Sequence, residues 1–430
     1  MATISATSAK VAERSLTVEE ALERILRAVP AMPAQETGLL AALGRVLAED
    51  VRAERDVPPF TNSAMDGYAV RGADVGQAPA RLRVVGEVAA GAVAKRAIGP
   101  GEAIRIMTGA PLPEGADTIV RVEDTDNGVE IVTVTAPTAR GTSVRHAGED
   151  LRAGEPVFTR GTILRPAEIG VIATTGRARV KVVRAPRVAV LSTGDEVVEL
   201  DAELRPGQIR DANRYSLSAA VTAAGCEAWT LGIVRDTADA LRAALSEALA
   251  ADAIVTSGGV SVGDHDHVKP VVSEMGTMDF WSIAIRPGRP LAFGELRDGE
   301  RRVPIFGLPG NPVSSLLTFE LFVRPALLRM AGHRSVARPR ARARLAEAIE
   351  RPPHLRFFAR GMYAAEAGTV RTTGPQGSGI LRSMAMANCL IDLPPGAARH
   401  EPGEIVDVIL TDLPEERAAP EQSATPEGRR

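Results

Sequence analysis

A chain of 430 residues exceeds one ordinary core, and a prior of about 150 residues per domain points to several domains. Hydrophobic residues at 45% with charged ones at 24% are those of a globular protein, and aromatics at only 3% leave the core to aliphatic side chains. With 51 Lys+Arg against 54 Asp+Glu the formal charge is -3, so no overall field draws the chain to nucleic acid or an anionic membrane.

Residues 1–14 are polar and low in complexity and are read as a disordered tail. Thr17 followed three residues later by Glu20 is a capping-box signature, and Val18, Ala21, Leu22, Ile25, Leu26 and Val29 then share one helical face until Pro30. Leu39, Leu40, Leu43, Val46 and Leu47 form a second amphipathic stretch, read as helical, before Pro58-Pro59 blocks helix and sets a boundary near 56. From there to 146, short apolar runs predict strands at 82–88, 103–107, 118–122 and 129–135, separated by Gly, Pro and Asp-Asn-Gly turns. Inside this β-rich insertion the segment from Pro58 to Ala69 is polar and turn-rich, and its Asp66-Gly67 alone reads as a turn. Residues 147–183 return to mixed character and are expected to pack on the N-terminal helices, with Pro166 opening a short helix.

Between 186 and 331 strand and helix alternate. Strands are predicted at 187–191, 229–234, 253–256, 279–285 and 303–306, with helices at 213–224, 237–250, from about 268, and after Asn311. Alternation implies a parallel sheet covered on both faces, with ligands beyond the carboxyl ends of its strands. After Gly332 the pattern is β-like and Pro/Gly-rich to about 412, consistent with a small barrel, and 414–430 is read as a second disordered tail.

The loops after those strands carry the chemistry. Ser257-Gly258-Gly259-Val260-Ser261 follows a buried strand and precedes a helix, where backbone N–H groups can converge on a phosphate-type anion. A turn imposed only by backbone geometry explains the glycines equally well. Neither a GxxxxGK[ST] loop nor a GxGxxG fingerprint occurs, so P-loop nucleotide hydrolysis is not expected. Asp264-His265-Asp266-His267 comes next. Its imidazoles lack a partner cluster for zinc, whereas its carboxylates suit Mg²⁺, which takes one or two of them together with phosphate oxygens. Thr193-Gly194-Asp195-Glu196 and Asp236 offer further acids at the same sheet edge, although Asp236 could equally be a helix cap. Arg286-Pro287-Gly288-Arg289-Pro290 places two guanidinium groups on a rigid turn suited to phosphate or an oxyanion. Finally, Gly307-Leu308-Pro309-Gly310-Asn311-Pro312-Val313-Ser314 opens the last helix, with Pro312 in its first turn and Ser314 near its positive end.

Cys226 and Cys389 make neither a disulfide framework nor a CxxC pair, which fits a reducing cytoplasm. Residues 1–16 lack a signal-peptide pattern and no run of about 18 apolar residues occurs, so the chain is read as neither exported nor membrane-spanning.

Taken together, PPFTNSAMDGYAV (58–70), IRIMTGAPLPEGAD (104–117), GEDL (148–151), STGDE (192–196), GQIRDANR (207–214), GIVRD (232–236), SGGVSVGDHD (257–266), RPGRP (286–290) and GLPGNPVS (307–314) resemble the MoeA family of molybdopterin molybdenumtransferases, shared with the gephyrin E-domain. The resemblance implies an elongated four-domain α/β and β chain: domain I at 15–55 and 147–183, mixed and dimerising; β-rich domain II at 56–146; the three-layer α/β pterin-binding domain III at 184–331; and the C-terminal β-barrel domain IV at 332–413. It implies a Mg²⁺-dependent transferase that inserts molybdate into adenylylated molybdopterin and releases AMP. Carried over residue by residue, Asp66, Thr108, Glu196, Asp236 and Asp266 become catalytic positions, with Glu196, Asp236 and Asp266 holding the metal. Ser257, Gly258, Gly259, Ser261, Lys269, Arg286, Arg289, Pro309, Pro312 and Ser314 become substrate-binding positions. A homodimer is implied, in which domain II of one chain brings Asp66 and Thr108 to domain III of the other, with transient contacts to a molybdopterin adenylyltransferase and to apo-molybdoenzymes. Family members often carry Lys at 286 or 289 and Asp at 61, where this chain has Arg286, Arg289 and Thr61. Two rivals share the α/β domain: an adenylyltransferase of the preceding step, and a non-catalytic scaffold or pterin-binding module. The flanking regions with Asp66 and Thr108, and the single SGGVS, favour metal insertion.

Overall fold

The computed structural model describes residues 15–258 and 268–412, and the chain divides into two compact units, residues 34–182 in one and the remainder in the other. In the larger unit the first helix, α1 (Val18–Ala28), starts at the expected cap. Thr17 Oγ1 accepts from the Glu20 amide at 3.1 Å, and Glu20 Oε2 accepts from the Thr17 amide at 2.9 Å; such caps contribute about 1 kcal/mol. Ala21 and Ile25 are fully buried in the main core beside Val188, Leu217 and Phe322. Truncating Ile25 to Ala would therefore cost about 2–5 kcal/mol.

In the smaller unit, β1 (Gly67–Val70), β2 (Ala80–Val88), β3 (Glu102–Ile106), β4 (Thr118–Arg121) and β5 (Ile131–Val134) form one sheet in the order β4-β1-β3-β2-β5. The segment read as only a turn ends in β1, whose four residues are all buried. Tyr68 and Val70 enter one core and Ala69 the other, the two-sided burial of a central strand. Gly67 is required by close packing, since a Cβ there would lie 1.9 Å from the Val120 carbonyl oxygen. The helix expected over 39–47 is corrected to a single 3-10 turn at Leu40–Ala42. Gly44, at φ +75°, turns the chain out of helix, and Val46 and Leu47 are buried in extended bridges to Ile163 and Val182. Residues 147–183, including α2 (Pro166–Thr174), share a core with this segment through Leu47, Leu164, Ile172 and Val182.

The larger unit continues with β6 (Arg187–Thr193), α3 (Ala212–Ala223), β7 (Glu227–Val234), α4 (Ala238–Ala248), β8 (Ala253–Ser257), α5 (Val268–Met275), β9 (Gly276–Ser282), β10 (Pro290–Asp298), β11 (Arg301–Leu308), α6 (Pro312–Thr318) and α7 (Arg324–Met330). Sheet order is β7-β6-β8-β11-β10-β9. The parallel sheet expected from alternation is corrected to a mixed one, because β10, unread in the sequence, runs antiparallel to both β11 and β9. Two reversals leave β9 pointing the same way as β11, so the loop after β9 still opens at the carboxyl edge. The strand expected over 279–285 ends at Ser282, and Ile285–Arg286 pairs instead with Arg356–Phe357. The single long helix after Asn311 is interrupted by a wider π turn at Phe319–Val323. Pro325 has no N–H to return to the carbonyl four residues earlier, which accounts for the break.

The sheet is covered on both faces: α1, α3, α6 and α7 pack on one through Leu217, Phe306 and Leu327, and α4 and α5 on the other through Leu241, Ile254 and Val272. Further on, β12 (Arg340–Leu345), β13 (Arg356–Ala364), β14 (Thr369–Thr372), β15 (Cys389–Leu393) and β16 (Ile405–Leu410) pair in the order β13-β14-β12-β16-β15, and β15 pairs back to β13. That closure makes a five-stranded barrel, filled by Leu345, Phe357, Ile391 and Val408. Among the described residues no helix is long and apolar enough to cross a membrane.

Candidate active site

The carboxyl ends of β6, β7, β8 and β11 converge on a cleft of about 530 Å³. Glu196, Asp236, Ser257, Gly258 and Pro312, each expected at the site, line it together with Asp211, Asn213 and Gly310. The parallel register explains the convergence, since Thr193 is level with Val234, Ser192 with Ser257, and Ser257 with Leu308.

The loops are held by specific contacts. Gly258 has φ +92°, and a Cβ there would lie 2.7 Å from the Thr193 carbonyl oxygen, so the backbone requirement for glycine is real. Its N–H is not free for an anion, because it donates to the Leu308 carbonyl at 3.1 Å. Ser257 Oγ lies on the cleft wall at that point and accepts from Asn213 Nδ2 at 2.7 Å. Gly194, at φ +138°, leaves room for Glu196 to fold back: a Cβ would meet its carboxylate at 2.8 Å. Thr237 caps α4 with its own side chain, so Asp236 is released from the capping role. The Asp236 amide donates to Asp195 Oδ1 at 3.3 Å, tying the two acid loops together. Among the described residues neither Glu196 nor Asp236 has an ion-pair partner or a donor on its carboxylate.

Asp211, Asn213 and Arg214, in a motif read only as part of the family pattern, organise this cleft. Asp211 caps α3, accepting from the Arg214 amide at 3.0 Å and from the Ser192 hydroxyl at 2.9 Å. Arg214, only 6% exposed, grips Glu199 through both of its terminal nitrogens. Burial works against its charge, but Glu199 and Asp211 outweigh it and hold the guanidinium above its ordinary range. Charged pairing of short polar residues at an α3 N-terminus was the sequence signal available for this cluster.

Other expected residues are placed differently. Pro309 and Ser314 are buried and do not line the cleft. Arg286 lines a separate cleft with Arg351, Phe357 and Arg399. Arg289 donates from Nε to the Ser282 hydroxyl at 3.0 Å. The RPGRP turn packs tightly on α6, where a Cβ on Gly288 would come 2.9 Å from Thr318 Cγ2. Gly259, Ser261, Asp266 and the side chain of Lys269 lie outside the described residues. The barrel region adds Gly379 and Leu381 to the cleft wall. Behind them Arg360, fully buried, donates to the Gly377 carbonyl at 3.1 Å and to the Ser383 hydroxyl at 3.1 Å, while Nη1 has no partner among the described residues. Burial without a carboxylate pulls this guanidinium down to about 10.

In the smaller unit Asp66 and Thr108 form a local pair. Asp66 Oδ1 accepts from both the amide and the hydroxyl of Thr108, each at 2.7 Å. These bonds, the backbone one first, hold the exposed carboxyl below its usual range, so it is charged at neutral pH.

A mixed α/β domain whose strand-end cleft joins two carboxylates, without partners among the described residues, to a serine, and which is carried with a β-rich insertion and a small barrel, defines a multidomain α/β protein with an acid-lined site at its sheet edge. Profiles of the MoeA N-terminal region (domain I and II), a probable molybdopterin binding domain and the MoeA C-terminal region (domain IV) match residues 16–176, 189–329 and 342–411. The molybdopterin molybdenumtransferase of Haemophilus influenzae is 37% identical over 404 residues, covering 91% of this chain and 98% of the relative. That of Staphylococcus aureus is 35% identical over 405 residues, covering 92% and 95%. The crystal structure of a molybdopterin biosynthesis moeA protein from Pyrococcus horikoshii OT3 superposes with a TM-score of 0.78 at 31% identity, covering 92% of this chain and all of that one (100%). The chain belongs to the MoeA family.

Proposed function

We infer that this chain is a transferase of molybdenum cofactor biosynthesis, and we propose that it inserts molybdenum from molybdate into adenylylated molybdopterin, with release of AMP and with Mg²⁺ as its cofactor. The observation that carries this reading is the pair of carboxylates, Glu196 and Asp236, which have no partner among the described residues and share one cleft with Ser257. Two such acids would repel each other across a site designed to stay empty of cations. They match the donor set that Mg²⁺ takes alongside phosphate oxygens. Glu196 and Asp236 would hold the ion, joined by Asp266. When bound, Mg²⁺ stabilises the charge that develops as the phosphoanhydride is broken.

The protein's own groups do the rest. Ser257 donates to a phosphate oxygen, Asp195 fixes the acid loop at Asp236, and Leu381 with Pro312 gives the cleft an apolar wall for a flat ring. Arg289 and Arg286, the latter lining the separate cleft with Arg351 and Arg399, are the oxyanion candidates; buried Ser314 is the weaker one. The reading includes a homodimer in which Asp66 of the partner subunit completes the site. It supports a reducing, cytoplasmic setting, because Cys226 and Cys389 are both buried and outside any disulfide. Transient contacts with a molybdopterin adenylyltransferase and with apo-molybdoenzymes belong to the same reading. Purified protein incubated with adenylylated molybdopterin and Mg²⁺ tests it: AMP should be released together with molybdenum cofactor when molybdate is added. Release of pyrophosphate from molybdopterin and ATP instead would favour the adenylyltransferase alternative.

A further inference from the structure

Asn213 stands at the first turn of α3, and its side-chain Nδ2 is 2.7 Å from two acceptors at once, Ser257 Oγ and the Gly310 carbonyl oxygen. Since a carbonyl oxygen can only accept, the group facing Gly310 must be the amide NH₂. The amide's orientation is thereby fixed. The same NH₂ then donates its second proton to Ser257 Oγ, which occupies a lone pair of the serine and leaves the serine's own proton pointing elsewhere. Among the described residues that proton has no acceptor, and Ser257 is only 3% exposed while lining the cleft. Asn213 Oδ1 is left buried, without a partner among the described residues. A buried orphan acceptor is disfavoured, so the arrangement is not what side-chain satisfaction alone would select.

We propose that Asn213 is a positioning residue that turns the Ser257 hydroxyl into a hydrogen-bond donor aimed into the cleft, and that it locks the end of β8 to the loop after β11. This rests on the reading of the cleft as a phosphate-binding active site. The hydroxyl matters more here than in an ordinary glycine cradle, because the neighbouring Gly258 N–H is already spent on Leu308. Asparagine is needed rather than aspartate. A carboxylate of the same shape would accept the Ser257 proton, reversing the hydroxyl, and would face the Gly310 carbonyl with like charge.

The test is a double-mutant cycle on the full chain. Asn213→Asp, Asn213→Ala, Ser257→Ala and the Asn213→Ala/Ser257→Ala double variant are compared for AMP release with molybdate and Mg²⁺, and for binding of inorganic pyrophosphate by calorimetry. Each single variant should lose about tenfold in kcat/KM, the scale of one charge-assisted hydrogen bond. The double variant should lose hardly more than either single one, because both remove the same donor. Asn213→Asp should be as impaired as Asn213→Ala while unfolding at a temperature within a few degrees of wild type. Multiplicative losses in the double variant, or a fully active Asn213→Asp, would overturn the proposal. Wild-type protein that binds pyrophosphate but releases no AMP would count against the functional reading instead, and the same non-additivity or its absence would then be read in the binding.

Discussion

Asp66 shows how much a single side chain can depend on its neighbour. In the sequence it was a carboxylate beside a glycine, and only the family pattern marked it. The structure gives it a physical role: Thr108 contributes both donors to one oxygen, leaving the other available. Because the folded carboxyl sits below its ordinary value, its stabilising contribution is complete above the unfolded value and disappears as pH falls through the folded one. Thr108→Val keeps the larger, backbone bond and removes the hydroxyl. The Asp66 carboxyl should then titrate at higher pH than in wild type but still below its ordinary range, and the acid limb of activity should move toward neutrality. A carboxyl resonance followed by NMR across pH 2–6 measures this; an unmoved titration would show that the hydroxyl does nothing. Ser257, Glu196 and Asp236 were legible for a simpler reason: Ser257 ends β8, and the two acids lie in the short loops after β6 and β7, strands that could be read from apolar runs.

At the scale of elements, the loop that carries Glu196 depends on α3. Arg214 reaches from that helix to Glu199, three residues beyond Glu196, and is backed by Asp211. Glu199 is half exposed, at 49%, so losing its charge should cost at most about 1 kcal/mol of stability. Glu199→Gln should therefore unfold much like wild type but require severalfold more Mg²⁺ for half-maximal rate, because the acid loop is no longer clamped. Removing Arg214 is a different experiment. Asp211, whose side chain is 1% exposed, would be left unpaired, and Arg214→Met should lose about 3–5 kcal/mol in denaturant unfolding. Equal stability in the two variants would contradict this division. The strands that escaped the sequence escaped for physical reasons too. β1 is masked by the polar turn that precedes it, β10 by Arg286-Pro287-Gly288-Arg289-Pro290 at its start, and residues 39–47 mimic a helix because their apolar spacing suits one until Gly44 intervenes.

For the whole molecule, the proposed homodimer makes a quantitative statement. Asp66→Asn and Asp236→Asn proteins should each be inactive, yet after subunit exchange about half the dimers would be mixed, each with one intact and one doubly damaged site. Activity should return to roughly a quarter of wild type if each site draws Asp66 from the partner subunit. A site built within one chain would regain nothing, because every copy would keep one lesion. The alternation of strand and helix between 186 and 331 made the central sheet readable, and the Pro/Gly-rich β pattern after 332 anticipated the barrel.

The most direct measurement of the central claim is the release of AMP from adenylylated molybdopterin by the purified protein, with molybdate and Mg²⁺ added separately and together. The account predicts rapid release, coupled to formation of molybdenum cofactor, only when both are present, and its loss in Asp236→Asn. Release that is indifferent to molybdate, or that survives removal of all divalent cations by a chelator, would contradict it.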